Sequence, residues 1–198
     1  MTILVIGLLM FLGVHSVRLF GESTRTALIA VLGERGYKGL YSVLSVIGLI
    51  LIVIGFGQTR TYPTDVWYPD GSFRGIAIVM TLVAFVLLAA NEPSRAKNSH
   101  IKHWLKHPMT FGIMIWAAAH LMVNGRLGDI TLFGAFLVWA VLCLISGLRR
   151  DRVNQASGTE PVPVQGWGRD ISAIVGGVVV WAVFAFFLHP WLIGISVM

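Results

Sequence analysis

The chain has 198 residues, 56% of them hydrophobic and 12% charged, with a mean hydropathy of +0.79. A soluble globular domain carries roughly twice that charged fraction, which excludes a water-soluble fold for most of the chain. The net charge of +6 is spread through the gaps between apolar runs rather than gathered on one face, which argues against a nucleic-acid partner, and the single cysteine, Cys143, excludes an internal disulfide.

Six runs approach the roughly 20 apolar residues that a membrane-spanning helix needs. They are Ile3–Phe20, Leu40–Gly57, Gly75–Ala90, Pro108–Asn124, Gly128–Leu148 and Ile171–Ile195. None alternates as the strands of an outer-membrane barrel do. The expected architecture is therefore all-α, a polytopic membrane bundle of about six helices forming one domain over residues 1–198. The N-terminus has no basic segment ahead of its apolar run and no small-residue cleavage site after it, so no cleaved leader is expected.

The connections carry their own signals. After the first run, Ser23 or Thr24 is placed to cap a short helix, ALIAVLGER, stopped near Gly33 or Gly36 and lying along the membrane interface. The loop QTRTYPTDVWYPDGSFR has turn chemistry and offers Trp67 and Tyr68 to an aromatic belt. The last connection, RRDRVNQASGTEPVPVQGWGRD, reads as a polar loop. Loops one, three and five hold twelve of the 15 Lys and Arg residues, among them Arg18, Arg25, Lys106 and Arg150. The positive-inside rule then puts both termini outside the cytoplasm, the orientation of an inner-membrane protein with this loop charge.

Ionisable groups within apolar helices are the candidate functional residues. His15 closes the first run, next to Ser16 and near Arg18. The stretch KHPMTFGIMIWAAAHLMVNG carries His107 before Pro108, and His120 and Asn124 near its end. His120 lies 13 residues beyond His107, about 20 Å along a helix axis and on another side of it, so one ion cannot take both from one straight helix. The topology permits His15 with His107, and His120 with His189. His100, His103 and His107 stand at helical spacing, either as imidazoles able to hold zinc or copper or as a wet basic segment meeting lipid phosphates through Lys102 and Lys106. For His120 the plainer reading is a hydrogen bond to a neighbour such as Asn124. Gly112 would admit a close helix or a flat ligand. Cys143 reads as a small apolar residue rather than a haem thiolate. Glu92 is expected to meet a nearby Lys or Arg.

The segment ending in His15, Ser16 and Arg18 resembles the NnrU family. So do GYKGLYSVLSVIGLILIVIGFG, the NEPS segment, and KHPMTFGIMIWAAAHLMVNG with the following LFGAFLVWA, together most of Met1–Arg152. One departure is visible: the family often has an acidic residue directly after Asn-Gly, where this chain has Arg126, with Asp129 three residues on. The resemblance implies a bacterial integral membrane protein linked to denitrification and nitric oxide handling. The family is also similar to the zeta-carotene isomerase, a haem b protein that turns a cis double bond to trans and holds its iron through histidines. On this chain the matching candidates are His15 and His107, with His120, Asn124 and Arg18 as further cofactor-binding residues. The implied partners are the bilayer, a hydrophobic small molecule or NO, and a respiratory reductase; whether the chain turns over a substrate is left open. Two other classes compete. An accessory factor for a reductase needs no pigment, and a membrane methyltransferase would share the His-Pro helix start but needs a later acidic pair, which Asp129, Asp151, Glu160 and Asp170 do not supply side by side.

Overall fold

The computed structural model describes residues 1–17, 19, 22–91, 99–156, 164 and 166–194. Arg18, Glu92 and the rest of the NEPS segment lie outside them. Helix α1 spans Thr2–His15, α2 Glu22–Thr61, α3 Arg74–Ala90, α4 His100–Leu105, α5 Pro108–Val123, α6 Leu127–Ala156, α7 Gly168–Val183 and α8 His189–Ile193. A single 3₁₀ turn, Gly71–Phe73, leads into α3, and a π-helical turn, Phe184–Leu188, joins α7 to α8. Among the described residues there is no strand, only an isolated antiparallel bridge between Asp65 and Arg126.

The apolar runs become helices, but several boundaries move. The first helix stops at His15, where the side chains of His15 and Ser16 turn back onto the carbonyls of Phe11 (2.7 Å) and Leu12 (2.6 Å). The expected short interfacial helix begins at Glu22, so Ser23 and Thr24 lie inside its first turn instead of capping it. It is interrupted at Gly33 as expected, where φ 70° and ψ 161° define a conformation that essentially only glycine adopts cheaply. No loop follows. Glu34–Gly39 is helical and continuous with the long apolar segment, supported by a Glu34–Lys38 pair at 2.7 Å. At the other end of the chain, α6 runs past Leu148 to Ala156, taking up residues expected in the polar loop. Helix α7 starts at Gly168 and so has Asp170 in its first turn.

Among the described residues, four helical stretches are long and apolar enough to cross a membrane: Ser23–Thr61, Gly71–Ala90, Leu127–Ala156 and Gly168–Ile193. Thr2–His15 and Pro108–Val123 are equally apolar but shorter, at 14 and 16 residues. Large aliphatic side chains on these helices face outward, including Val46, Ile50, Val53, Val138, Val175 and Val179. Such faces suit lipid and would be an aggregation hazard in water.

The chain forms two compact units. The first comprises residues 1–68 and 125–143. Here α1 and α2 pack closely along glycine contacts: a Cβ on Gly48 would lie 2.9 Å from the Phe11 backbone nitrogen. Leu4, Leu8, Ile52, Phe56 and Phe133 form the buried core. The loop after α2 returns to the start of α6, with the amides of Val66 and Trp67 donating to the Gly125 carbonyl (2.9 and 3.2 Å) and Leu127 N–H to the Thr64 carbonyl (2.8 Å). The second unit comprises residues 69–124 and 144–198. Helix α3 packs against both α5 and α7. A Cβ on Gly112 would lie 2.9 Å from the Ala84 carbonyl oxygen, so this glycine serves helix packing. The Trp181 indole donates to Thr81 Oγ1 (3.2 Å).

Candidate functional site

His15 sits where α1 ends. Its Nδ1–H donates to the Phe11 carbonyl, and its ring stacks on that of Phe11, with centroids 4.3 Å apart and 27° between planes. Tyr41 (5.1 Å) and the edge of Trp139 (6.4 Å) complete an aromatic surround. Trp139 is itself fixed by donating to Ser16 Oγ at 3.0 Å. A ring held through Nδ1 leaves the Nε2 lone pair for another partner, as histidine metal ligands do. No described residue occupies Nε2. His15 lines a cleft of about 420 Å³ together with Arg25, Tyr37, Lys38, Tyr41 and Ser42. The bend at Gly33 makes this cleft, because it folds the arm carrying Arg25 back so that its guanidinium lies 5.9 Å from the Tyr37 ring centre.

His107 precedes Pro108 at the start of α5 and is held differently. Its Nε2–H donates to Asp151 Oδ2 at 3.0 Å, and both side chains are partly exposed. The ring lies against Gly147, where a Cβ would fall 2.7 Å from Cε1 and 2.9 Å from Nε2. Gly147 and Asp151 are one turn apart on α6, so one face of that helix both makes room for the imidazole and binds it. Sequence reading missed this partner because it ended the helix at Leu148. The one available signal was an acidic residue within the basic run RRDR. Nearby, Lys102 Nζ donates to Asn91 Oδ1 (3.3 Å). Burial lowers the Lys102 ammonium below the ordinary lysine range, and the Asp151 carboxylate opposes that shift.

His100 has a third arrangement. Asp170 in α7 is only 2% exposed and accepts four hydrogen bonds from the start of α4: Ser99 Oγ–H (2.8 Å), His100 N–H (3.1 Å), His100 Nδ1–H (2.9 Å) and Ile101 N–H (3.0 Å). Ser99 Oγ in turn accepts from Lys102 N–H (3.2 Å). The His100 ring is stacked on Trp167, with centroids 3.9 Å apart and planes within 11°. The helical spacing expected for His100, His103 and His107 therefore does not gather them. His100 is engaged by Asp170, His107 by Asp151, and His103 is exposed. Among the described residues, no three His, Cys, Asp or Glu side chains come together as metal ligands.

His120 donates from Nδ1 to the Trp116 carbonyl (2.8 Å), while Asn124 Nδ2–H donates to the His120 carbonyl (2.8 Å). Asn124 thus meets the backbone of His120. His189 belongs to the same compact unit as His120. Directly after Asn124, Gly125 packs so tightly on Trp67 that a Cβ would collide with the indole and the Trp67 carbonyl. Arg126, which stands where an acid was expected, lies 3.6 Å from Asp65, so the loop after α2 supplies a carboxylate there. Asp129 is buried in the first turn of α6.

Apolar helices of spanning length, aliphatic faces turned outward and imidazoles set at helix ends are the features of a polytopic helical membrane protein. The model of the NnrU protein family matches residues 3–197, nearly the whole chain, and the chain belongs to that family. No curated protein and no solved structure gives a significant match.

Proposed function

We propose that the chain is an NnrU-type inner-membrane protein that binds haem b, with His15 as an iron ligand through Nε2. The observation that carries the reading is the His15 cleft, in which an imidazole oriented by the Phe11 carbonyl has no partner for its other nitrogen among the described residues and shares the cleft lining with the cations Arg25 and Lys38. That donor set fits the group: a neutral nitrogen for iron, aromatic rings for the macrocycle, and cations for two propionates. Arg18 adds a further cation in the same sequence neighbourhood. His107 is the second proposed ligand. Its Nε2 is on Asp151, so ligation requires either the ring's Nδ1 or release from that carboxylate. His120 and Asn124 are proposed to line the path of a hydrophobic ligand.

With one of the two proposed histidines released, bound haem would supply an iron centre able to take up nitric oxide or polarise a polyene double bond, which would connect the protein to nitrogen-oxide metabolism or to isoprenoid cis–trans isomerisation. The residues of the chain would hold the cofactor, keep water from it through the Phe11, Tyr41 and Trp139 surround, and neutralise its acids. In this reading the two shorter apolar helices also cross, giving six spans with both termini periplasmic.

The test is an absorbance spectrum of detergent-purified protein, oxidised and then reduced with dithionite. A Soret band that sharpens and shifts on reduction is expected, and it should be lost in His15→Ala but kept in His100→Ala. A colourless wild-type protein, even when expressed with haem precursor, removes the proposal and leaves the role of a non-catalytic partner for a reductase.

A further inference from the structure

Helix α4 stands at the end of the second unit where α3 finishes and α5 and α7 begin, touching α3 and α5 and bound to α7 through Asp170. Three apolar helices terminate at this level, which makes it a boundary between lipid and water. Two tryptophans are exposed there, Trp104 at 67% and Trp167 at 56%, and they meet edge to face at 6.1 Å across His100. Exposed tryptophans at the ends of apolar helices are what a headgroup layer selects. His103, Lys106 and Arg169 are exposed beside them. Neither Lys106 nor Arg169 forms an ion pair with a described residue.

Lys106 is the more telling of the two cations. Among the described residues it is the one non-glycine with a positive φ, 56°, at the point where α4 turns into α5. Glycine would hold that backbone at lower cost, so a lysine there is strained. Its side chain is exposed and forms no ion pair with a described residue that would offset the strain. The four hydrogen bonds to Asp170 hold the segment rigid, and so fix the lysine at the surface.

We propose that α4 is a platform for the phosphate of an anionic phospholipid: Lys106 and Arg169 meet the headgroup while Trp104 and Trp167 lie along the upper acyl chain. This inference is independent of the haem reading. Positive side chains at a membrane surface each contribute measurably to anionic-lipid affinity, and salt weakens the attraction.

The test uses full-length protein in a neutral detergent, exchanged with equal amounts of palmitoyl-oleoyl phosphatidylglycerol and the matching phosphatidylcholine, with retained lipids counted by native mass spectrometry. Wild type should retain phosphatidylglycerol preferentially. Lys106→Gly should lose about fivefold of that preference while unfolding at the same or a higher temperature, since glycine relaxes the strained backbone. Arg169→Gln, which leaves the backbone alone, should lower the preference in the same direction and serves if the first variant does not fold. Unchanged lipid selectivity in the variants overturns the proposal. So does complete displacement of the lipid by inorganic phosphate, which would make this a site for a free anion.

Discussion

His107 and Asp151 meet at 3.0 Å over the bare Cα of Gly147, joining the start of α5 to the last turns of α6. The pair is 44 residues apart in sequence and depends on α6 continuing beyond its apolar stretch. It fixes which nitrogen of His107 carries a proton and which is left for other chemistry.

Gly147→Ala should be destabilising by about 1–3 kcal/mol, because the added methyl overlaps the imidazole and either the ring or α6 must move. Gly134→Ala, on the same helix but with open space around the new Cβ, should be neutral or slightly stabilising. Thermal unfolding of both variants in one detergent makes the comparison, and equal melting temperatures would show that the His107 ring is not held on Gly147.

Asp170→Ala should cost on the order of 3 kcal/mol, because it leaves several buried or half-buried donors without their acceptor. Hydrogen exchange should rise at Ser99–Leu105 well before it rises in α3 or α5. Asp170→Asn should lose less, since its carbonyl oxygen still accepts. Slow exchange at His100 and Ile101 in the alanine variant would contradict the contact.

Lys102 gives a pH dependence whose sign follows from its lowered pKa. An unfolded chain holds this proton up to the ordinary value near 10.5, whereas the folded chain releases it earlier. Stability therefore rises with pH between the two values, as the unfavourable buried charge is removed. Below that window the cost is constant. Lys102→Met should be relatively more stable than wild type at neutral pH, with the difference shrinking as pH approaches the ordinary lysine range. A difference that does not change with pH would show that the ammonium is fully solvated when folded.

Much of the architecture was legible because hydrophobic length is a local property. The runs beginning at Gly75 and Pro108 became α3 and α5 with almost the expected limits, and the bend near Gly33 follows from the one residue that tolerates its backbone angles. The ends of α2 and α6 were less legible. Charged residues such as Lys38 and Arg150 read as loop by polarity, yet they continue a helix whose backbone is already hydrogen-bonded and whose side chains pair one turn apart, Lys38 with Glu34 and Arg150 with Ser146. Of the candidate site, the histidines could be listed from sequence, but their roles could not. A ring's chemistry depends on which acceptor takes which nitrogen, and those acceptors are the Phe11 carbonyl for His15, Asp151 for His107, Asp170 for His100 and the Trp116 carbonyl for His120.

The sequence by itself determined an all-helical membrane protein of the NnrU family, since apolar length, loop charge and a few motif residues are written along the chain. Only the tertiary structure decided that His100 and His107 part company, that Gly125 must admit Trp67, and that His15 lines one cleft with Arg25. These outcomes depend on contacts between residues far apart in sequence, which form only once close-packed helices have fixed their registers.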